Sequence, residues 1–420
     1  MLDIKFIREN SDLIKMAAQK KHIPFDVDEL LKVDEERLQK LNLVETLRAE
    51  QNKISDKVAQ AGKAEREKLI SEMKSFKEHL KEEEEALKEV MKRWQVLMLQ
   101  VPNIPDMSVP EGADDADNQE IKKWGDVPAF DFQPKDHIEL MENLDLVDFE
   151  RGTKVSGFRG YFLKNEGAQI EMAIWQYAVE FLTKRGYKFM IAPSLVRREA
   201  LVGTGMIPQS EEDLYKVGPT EYLAGTAEVP VMGYFMDEIL PKEKLPQKIL
   251  AFSPCFRAEA GKHGKDIKGL IRVHEFFKME QVVLCEASHE ESVKFHEEIL
   301  KNSEDFMQSL GLHYRVVVNC GGDLGLGQVK KYDIEAWMPS QNLYRETHSA
   351  SYFHDFQTRR LNIKYRDAEE KSRYTHSLNN TLVATPRILA VLIENYQQAD
   401  GSIRVPEVLK KYIGTDVIKK

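Results

Sequence analysis

Between residues 252 and 280 the chain reads FSPCFRAEAGKHGKDIKGLIRVHEFFKME. Two short apolar runs, 252–256 and 270–277, flank a glycine- and lysine-rich loop, the pattern of an antiparallel hairpin with a basic tip. Arg257 and Glu259 stand two apart where the first strand ends, so a two-residue period puts both on one face. Arg272, His274 and Phe276 share a face of the return strand, with Glu280 just beyond it. An arginine offers forked donors to a phosphate, an aromatic ring offers a plate, and carboxylates hold an amine. Gathered around one hairpin, these residue types suggest a nucleotide site that also holds an amine. A charged surface hairpin fits the composition equally well.

The elements that would position such a site lie on both sides of it. The 420 residues suffice for two or three domains and at least one large core. Hydrophobic content of 42% with 31% charged residues is ordinary for a water-soluble fold. No run of about 18 apolar residues occurs, which argues against a membrane span. The first residues, MLDIKFIRENSDLIK, lack the basic-then-apolar layout of a signal peptide. Cys255, Cys285 and Cys320 are spaced for neither a disulfide framework nor a CxxC zinc site, so core packing in a reducing cytoplasm is expected. A net charge of −10 excludes indiscriminate coating of nucleic acid but allows one local nucleic-acid surface.

Residues 3–19 carry helical periodicity that Pro24 ends. Two long helical patterns follow. Val44, Gln51 and Val58 are spaced by seven, as are Leu47, Ile54 and Ala61, and Gly62 then breaks the pattern. Beyond it run Met73, Leu80, Leu87, Trp94 and Val101, beside Leu69, Phe76, Glu83, Val90 and Leu97. These are heptad seams, and the short break predicts an antiparallel coiled-coil arm over about 27–101, roughly 50 Å long at 1.5 Å per residue. An oligomerisation coil is the commoner use of heptads; a lever on an elongated partner is the other. The acidic run 82–85 would repel phosphates, which leaves Arg48, Lys53, Lys57 and Lys63 near the turn as candidate RNA contacts.

Residues 106–135, rich in Asp, Pro, Gly and Asn, read as a linker. The remainder mixes helices (137–146, 170–185) with short strands (188–192, 250–256, 270–277, 281–284, 314–318, 332–337), an α+β layout with an antiparallel sheet flanked by helices. The glycine-rich GGDLGLG at 321–327 lacks the strand-to-helix context of a Rossmann or P-loop site.

Taken together, these segments resemble a bacterial-type seryl-tRNA synthetase, a class II aminoacyl-tRNA synthetase. The likeness runs the whole length of the chain. GYKFMIAPSLVRREALVGTGMIP at 186–208 resembles the first class-defining motif, with Pro193 at a dimer interface. FRAEAG and HEFFKME within 255–280 resemble the second. HSLNNTLVATPRILAVLIENYQ at 376–397 resembles the third, with Arg387 as its arginine, while TAE at 226–228 and RETHSASYFHDFQTRR at 345–360 lie between. The implied domains are an N-terminal tRNA-binding domain (1–104), a linker and entry segment (105–135) and a class II catalytic domain (136–420).

The resemblance implies ATP-dependent ligation of L-serine to tRNA(Ser) through seryl-adenylate, with tRNA(Sec) as a second candidate substrate. It implies that Arg257, Glu259 and Arg387 are catalytic, and that Ala258, Val273, Phe276, Glu346, Thr347, His348 and Ser349 join them in binding ATP. Arg257 would meet the α-phosphate and the serine carboxylate, Glu259 the adenine amino group, and Phe276 and Arg387 the two adenine faces. Glu346 and Ser349 would hold Mg2+ with the phosphates; no zinc is expected. Thr226, Ala227, Glu228, Arg257, Glu280, Asn379 and Thr381 would bind serine, with Glu280 accepting from its hydroxyl. The implied setting is a cytoplasmic homodimer, with the arm crossing to grip the long variable arm of a tRNA on the other subunit.

Some positions depart from most bacterial members: Thr347-His348, Ala350 and Tyr352 stand where Ile-Ser, Cys and Asn are common, and Glu275 where Gln is usual. The third motif reads NNTLVATPR where a glycine-rich version is frequent. None removes a charged group the chemistry needs. A carrier-protein aminoacylating paralogue would lack the arm, and a silent scaffold would have lost a motif arginine or the Glu346/Ser349 pair.

Overall fold

The computed structural model describes residues 1–260 and 266–420, without the side chains of Lys63 and Ala64. The basic loop tip at 261–265 and the Lys63 side chain, both given roles above, lie outside the described residues. The chain forms two units: residues 2–19 with 23–102, and residues 1, 20–22 and 103–420.

In the first unit, helix α1 (Ile4–Glu9) and α2 (Ser11–Lys20) replace the single helix expected over 3–19. Asn10 separates them, its backbone N–H and its side-chain amide both donating to the Phe6 carbonyl. Helix α3 (Val27–Gln60) starts on an Asp26 cap that accepts from the Glu29 N–H at 3.0 Å, and α4 (Lys63–Gln100) starts just after Gly62. The two lie antiparallel, with Val44, Leu47 and Leu80 buried between them and Phe76 and Leu87 packed alongside. Glu83, the one polar member of the second seam pair, accepts from Lys40 Nζ across the coil at 2.7 Å. Arg48 is taken up in the same way by Glu84 at 2.7 Å, so of the expected RNA contacts only Lys53 and Lys57 are described as exposed and outside an arm ion pair.

The second unit is built on an eight-stranded sheet: β1 Gln119–Trp124, β2 Lys188–Ile191, β3 Gln247–Phe256, β4 Glu275–Cys285, β5 Tyr314–Val318, β6 Lys330–Met338, β7 Leu343–Tyr352 and β8 His376–Thr385. Their spatial order is β1-β5-β6-β7-β8-β4-β3-β2. Every neighbouring pair is antiparallel except the β2–β3 edge. Helices α5 (Asn165–Thr183) and α7 (His289–Ser309) cover one face, where Ile170, Ile174, Leu182, Phe295, Ile299 and Phe306 share a core with Met279, Val283, Ile334 and Ala350 of the strands. Between them in sequence, α6 (Glu228–Tyr234) packs with Val282, Leu284 and Ala251 on the opposite face, and α8 (Arg387–Asn395) follows β8.

Two sequence expectations change here. The stretch read as a linker contributes β1 (QEIKKW), an edge strand paired on one side to β5, where all six side chains stay exposed. The runs 270–277 and 281–284 are not two strands: 275–285 is one continuous strand, and 270–274 is irregular. Among the described residues no helix is long and apolar enough to cross a membrane.

Candidate active site

Strand β4 alternates cleanly. Phe277, Met279 and Gln281 turn toward the helices, where Phe277 stacks on Phe252 with ring centroids 5.6 Å apart and Gln281 Nε2 donates to the Ile299 carbonyl and Ser303 Oγ, each at 3.1 Å. Phe276, Lys278 and Glu280 therefore face the other way. They border a cavity of about 330 Å³ shared with Thr226 and Glu228 at the start of α6, Asn379 and Thr381 on β8, and Arg387 at the start of α8.

Strand β7 needs a defect to reach the same cavity. Strict alternation would send Glu346 and Ser349 to opposite faces. The register slips between Ile334–His348 and Glu335–Glu346, so Thr347 is an extra residue, a bulge. Its effect is to bring Glu346 and Ser349 to one side, where both line the cavity, and to turn His348 inward. His348 is 1% exposed, with Nδ1 against Thr347 Oγ1 at 2.8 Å and Nε2 against the Leu382 carbonyl at 3.0 Å; burial pushes its pKa down to about 4.

At one end of the cavity the Arg257 guanidinium carbon lies 5.3 Å from the Phe276 ring centroid, while Nε and Nη2 donate to the Gly225 carbonyl at 3.3 Å. Glu259 does not share a strand face with Arg257: the chain leaves β3 at Phe256, and Glu259 takes a left-handed φ of 53°. Its carboxylate instead accepts from Arg272 Nη1 at 2.7 Å. Arg387 spans the gap, donating from Nε to the Ile271 carbonyl and from Nη1 to the Glu346 carbonyl, both at 3.0 Å. Burial raises the Glu346 pKa, but Arg387, Lys331 and Arg257 outweigh it and hold the group below its ordinary value, with 49% of the side chain open to the cavity.

At the other end, Thr226 Oγ1 donates to Glu280 Oε2 at 3.5 Å and accepts from the Glu228 N–H at 3.3 Å. Glu228 is 5% exposed; its Oε1 accepts from Gln357 Nε2 at 2.5 Å, and Gln357 in turn accepts from Ser377 Oγ at 2.7 Å. Burial lifts Glu228 to about 7, with Gln357 pulling it down and Glu280 pushing it up. Lys278 pairs with the Glu280 carboxylate.

Of the residues that the resemblance assigns to catalysis, ATP or serine, Thr226, Glu228, Arg257, Glu259, Val273, Phe276, Glu280, Glu346, Thr347, Ser349, Asn379, Thr381 and Arg387 line this one cavity, as does Arg272 from the hairpin, whereas His274 does not. Three of the assigned residues do not. Ala227 is fully buried under α6 with Val231 and Phe235, Ala258 donates its N–H to the Asp213 carbonyl at 2.9 Å, and His348 faces the core. Lys278 was missed, although its place midway between Phe276 and Glu280 fixes its face. Residues 204–206, 209–210 and 325–328 supply much of the remaining lining, and none of them is given a site role by the sequence.

The site's inventory points to one kind of chemistry. Fixed arginines, an aromatic plate and carboxylates converge on a strand floor, and among the described residues no strand-to-helix phosphate loop borders it. That fold and that site define a class II aminoacyl-tRNA synthetase. Residues 215–396 match the tRNA synthetase class II core domain (G, H, P, S and T), and residues 1–105 match the seryl-tRNA synthetase N-terminal domain. Serine–tRNA ligase of Deinococcus radiodurans is 47% identical over 415 residues, covering 99% of this chain and 98% of the relative. That of Thermodesulfovibrio yellowstonii is 43% identical over 426 residues, covering 100% of both. The crystal structure of seryl-tRNA synthetase from Pyrococcus horikoshii complexed with ATP superimposes with a TM-score of 0.89 at 40% identity, covering 100% of this chain and 99% of that one. The chain belongs to the seryl-tRNA synthetase family, and its activity is serine–tRNA ligation.

Proposed function

We propose that the cavity carries both half-reactions, with roles divided between its two ends. ATP lies at the Arg257–Phe276–Arg387 end. Phe276 stacks on the adenine, Arg387 covers its other face and reaches the γ-phosphate, and Val273 and Glu259 contact the base. Arg257 moves off the Gly225 carbonyl to meet the α-phosphate and the serine carboxylate. Its delocalised charge and forked donors suit a phosphorus centre that gains charge in the transition state.

Serine lies at the other end. Thr226 and Glu228 hold its ammonium, Glu280 accepts from its hydroxyl, and Asn379 and Thr381 close the pocket. The serine carboxylate attacks the α-phosphorus and pyrophosphate leaves; the tRNA 3′-terminal hydroxyl then attacks the adenylate carbonyl and AMP leaves. Orientation and fixed charge do the work, and no side-chain nucleophile is required.

Glu346 and Ser349 fit a Mg2+ ion bound with the phosphates: two hard oxygen donors on one side of a bulged strand, the carboxylate held ionised by arginines. Among the described residues no group of three or more His, Cys, Asp or Glu side chains is arranged as a metal cage, so the phosphates and water would supply the other ligands. The ion would neutralise charge on the phosphate oxygens.

We further propose a cytoplasmic homodimer, with the α3–α4 arm gripping tRNA(Ser) bound to the partner and tRNA(Sec) as a second substrate of the same grip. Support for the dimer lies on the β2 edge, where Phe189, Ile191 and Leu195 are 39%, 73% and 54% exposed on either side of Pro193. The observation that carries the whole reading is the convergence of residues from 226 to 387 on one cavity. Charging of tRNA(Ser) transcript, with one AMP released per seryl-tRNA, tests it. AMP release without esterified tRNA would contradict it.

A further inference from the structure

Lys21 is 2% exposed, and its ammonium is complemented by backbone carbonyls. Nζ donates to Gly325 O at 3.1 Å, Leu326 O at 3.0 Å and Gln328 O at 2.6 Å. Asn103, 4% exposed, completes the set: its N–H donates to Leu326 O at 2.8 Å, and its side-chain amide donates to Gly327 O at 3.0 Å and to Phe353 O at 2.8 Å. Two residues thus hold all four carbonyls of segment 325–328. Every residue of that segment lines the active-site cavity.

With its carbonyls held by Lys21 and Asn103, the segment also braces itself: Gly325 N–H donates to Gln328 Oε1 at 2.6 Å, and Gln328 N–H donates to the Gly325 carbonyl at 3.2 Å. Leu326 N–H donates to Gln209 Oε1 at 2.9 Å, and Gln209 is itself part of the lining. Gln328 Nε2 donates to Ser351 Oγ at 2.7 Å, and Ser351 pairs in register with Asn379 at the serine end. The wall is therefore stitched to the pocket assigned to serine.

Holding a wall with a lysine is an expensive choice. Burial without a facing carboxylate pushes Lys21 down to about 7, the mark of an ammonium stripped of water. The adenylate chemistry makes no use of it. Its place in the chain does suggest a use. The chain leaves the catalytic unit after residue 22 and returns to it at residue 103, and the helices of the arm lie between. Of the two residues that hold the wall, Asn103 is where the chain returns and Lys21 is one residue before the last at which it leaves.

We propose that Lys21 and Asn103 are positioning residues for aminoacylation: they hold the wall at 325–328 in its serine-binding shape and tie that shape to the arm whose ends they flank. The proposal rests on the reading of that arm as the tRNA grip. It requires that tRNA seated on the arm be felt as a change in serine affinity.

The test is serine-dependent ATP–pyrophosphate exchange by the full-length protein, with and without tRNA(Ser) made unchargeable by periodate oxidation of its 3′ end. Unmodified protein should show a lower serine KM when that tRNA is present. Lys21→Met removes three buried hydrogen bonds and should raise the serine KM about tenfold, leaving kcat and the ATP KM within about twofold, and should lose the response to tRNA. Lys21→Arg should restore part of both. Asn103→Ala should move the same quantities in the same direction, and it is read alone if Lys21→Met does not fold. A merely structural tie would lower kcat with the folded fraction and leave the serine KM unchanged, which would overturn the proposal. So would variants that respond to tRNA as fully as the unmodified protein, or an unmodified protein whose serine KM ignores a tRNA that it charges. A protein that charges no tRNA would instead remove the reading of the arm.

Discussion

Lys278 and Glu280 form an ion pair on the floor of the cavity, with only 8% and 3% of their side chains exposed. The pair follows from the strand itself, since residues two apart on β4 share a face. It sets an ammonium beside the Glu280 carboxylate that is assigned to accept the serine hydroxyl's hydrogen bond. Lys278→Met should therefore leave an uncompensated buried carboxylate, costing about 3–5 kcal/mol of stability and weakening serine binding more than ATP binding. Denaturant unfolding together with the serine and ATP KM values in exchange measures both effects. An unaltered serine KM would separate Glu280 from the substrate.

Arg257 is parked over Phe276 and against the Gly225 carbonyl, within reach of the ring assigned to adenine. If it meets the reacting phosphate, Arg257→Ala should slow adenylate formation by about 10² or more. Single-turnover formation of seryl-adenylate is the direct measure, and a near-normal rate would remove Arg257 from the chemistry.

Glu228, lifted to about 7 by burial with Glu280 beside it, gives a pH signature. A carboxyl with a raised pKa is neutral below that value, and a neutral carboxyl attracts an ammonium poorly. Serine KM should thus rise as pH falls below 7, by at most about tenfold per unit, while the ATP KM stays flatter. Because the raised pKa penalises the ionised form, folding stability should also decline as pH rises from the ordinary carboxyl range toward 7. Glu228→Gln should flatten the serine profile; a profile unchanged by that substitution would assign the titration elsewhere.

Deleting residues 30–98 should separate the two half-reactions. Serine-dependent exchange should persist, because the cavity is built wholly from the other unit, and tRNA charging should disappear. Equal charging by the shortened protein would refute the grip.

How much of this was legible in the sequence depends on how local the signal is. The heptad seams announced the arm because a seven-residue period survives any tertiary context, and even the polar exception, Glu83, had its partner in Lys40. The hairpin around 252–280 was legible as strands of alternating residues. Alternation failed wherever the backbone departed from regularity. Glu259 with its positive φ, residues 270–274 and the bulge at Thr347 all place side chains by local geometry that residue spacing does not encode. The resemblance already paired Glu346 with Ser349, but the reason they share a side, and the setting aside of His348, needed the strand register. The wall at 325–328 was invisible for a different reason: its holders are some 220 to 300 residues away, and its own contribution is mostly backbone.

The central claim is that this one cavity selects serine and activates it with ATP. Amino-acid-dependent ATP–pyrophosphate exchange across all twenty amino acids, without tRNA, tests it most directly. Exchange is expected with serine alone, with alanine rejected because it leaves the Glu280 carboxylate without its hydroxyl, a discrimination of about 10⁴ or more. Exchange supported by another small amino acid, or none at all from folded protein, would contradict it.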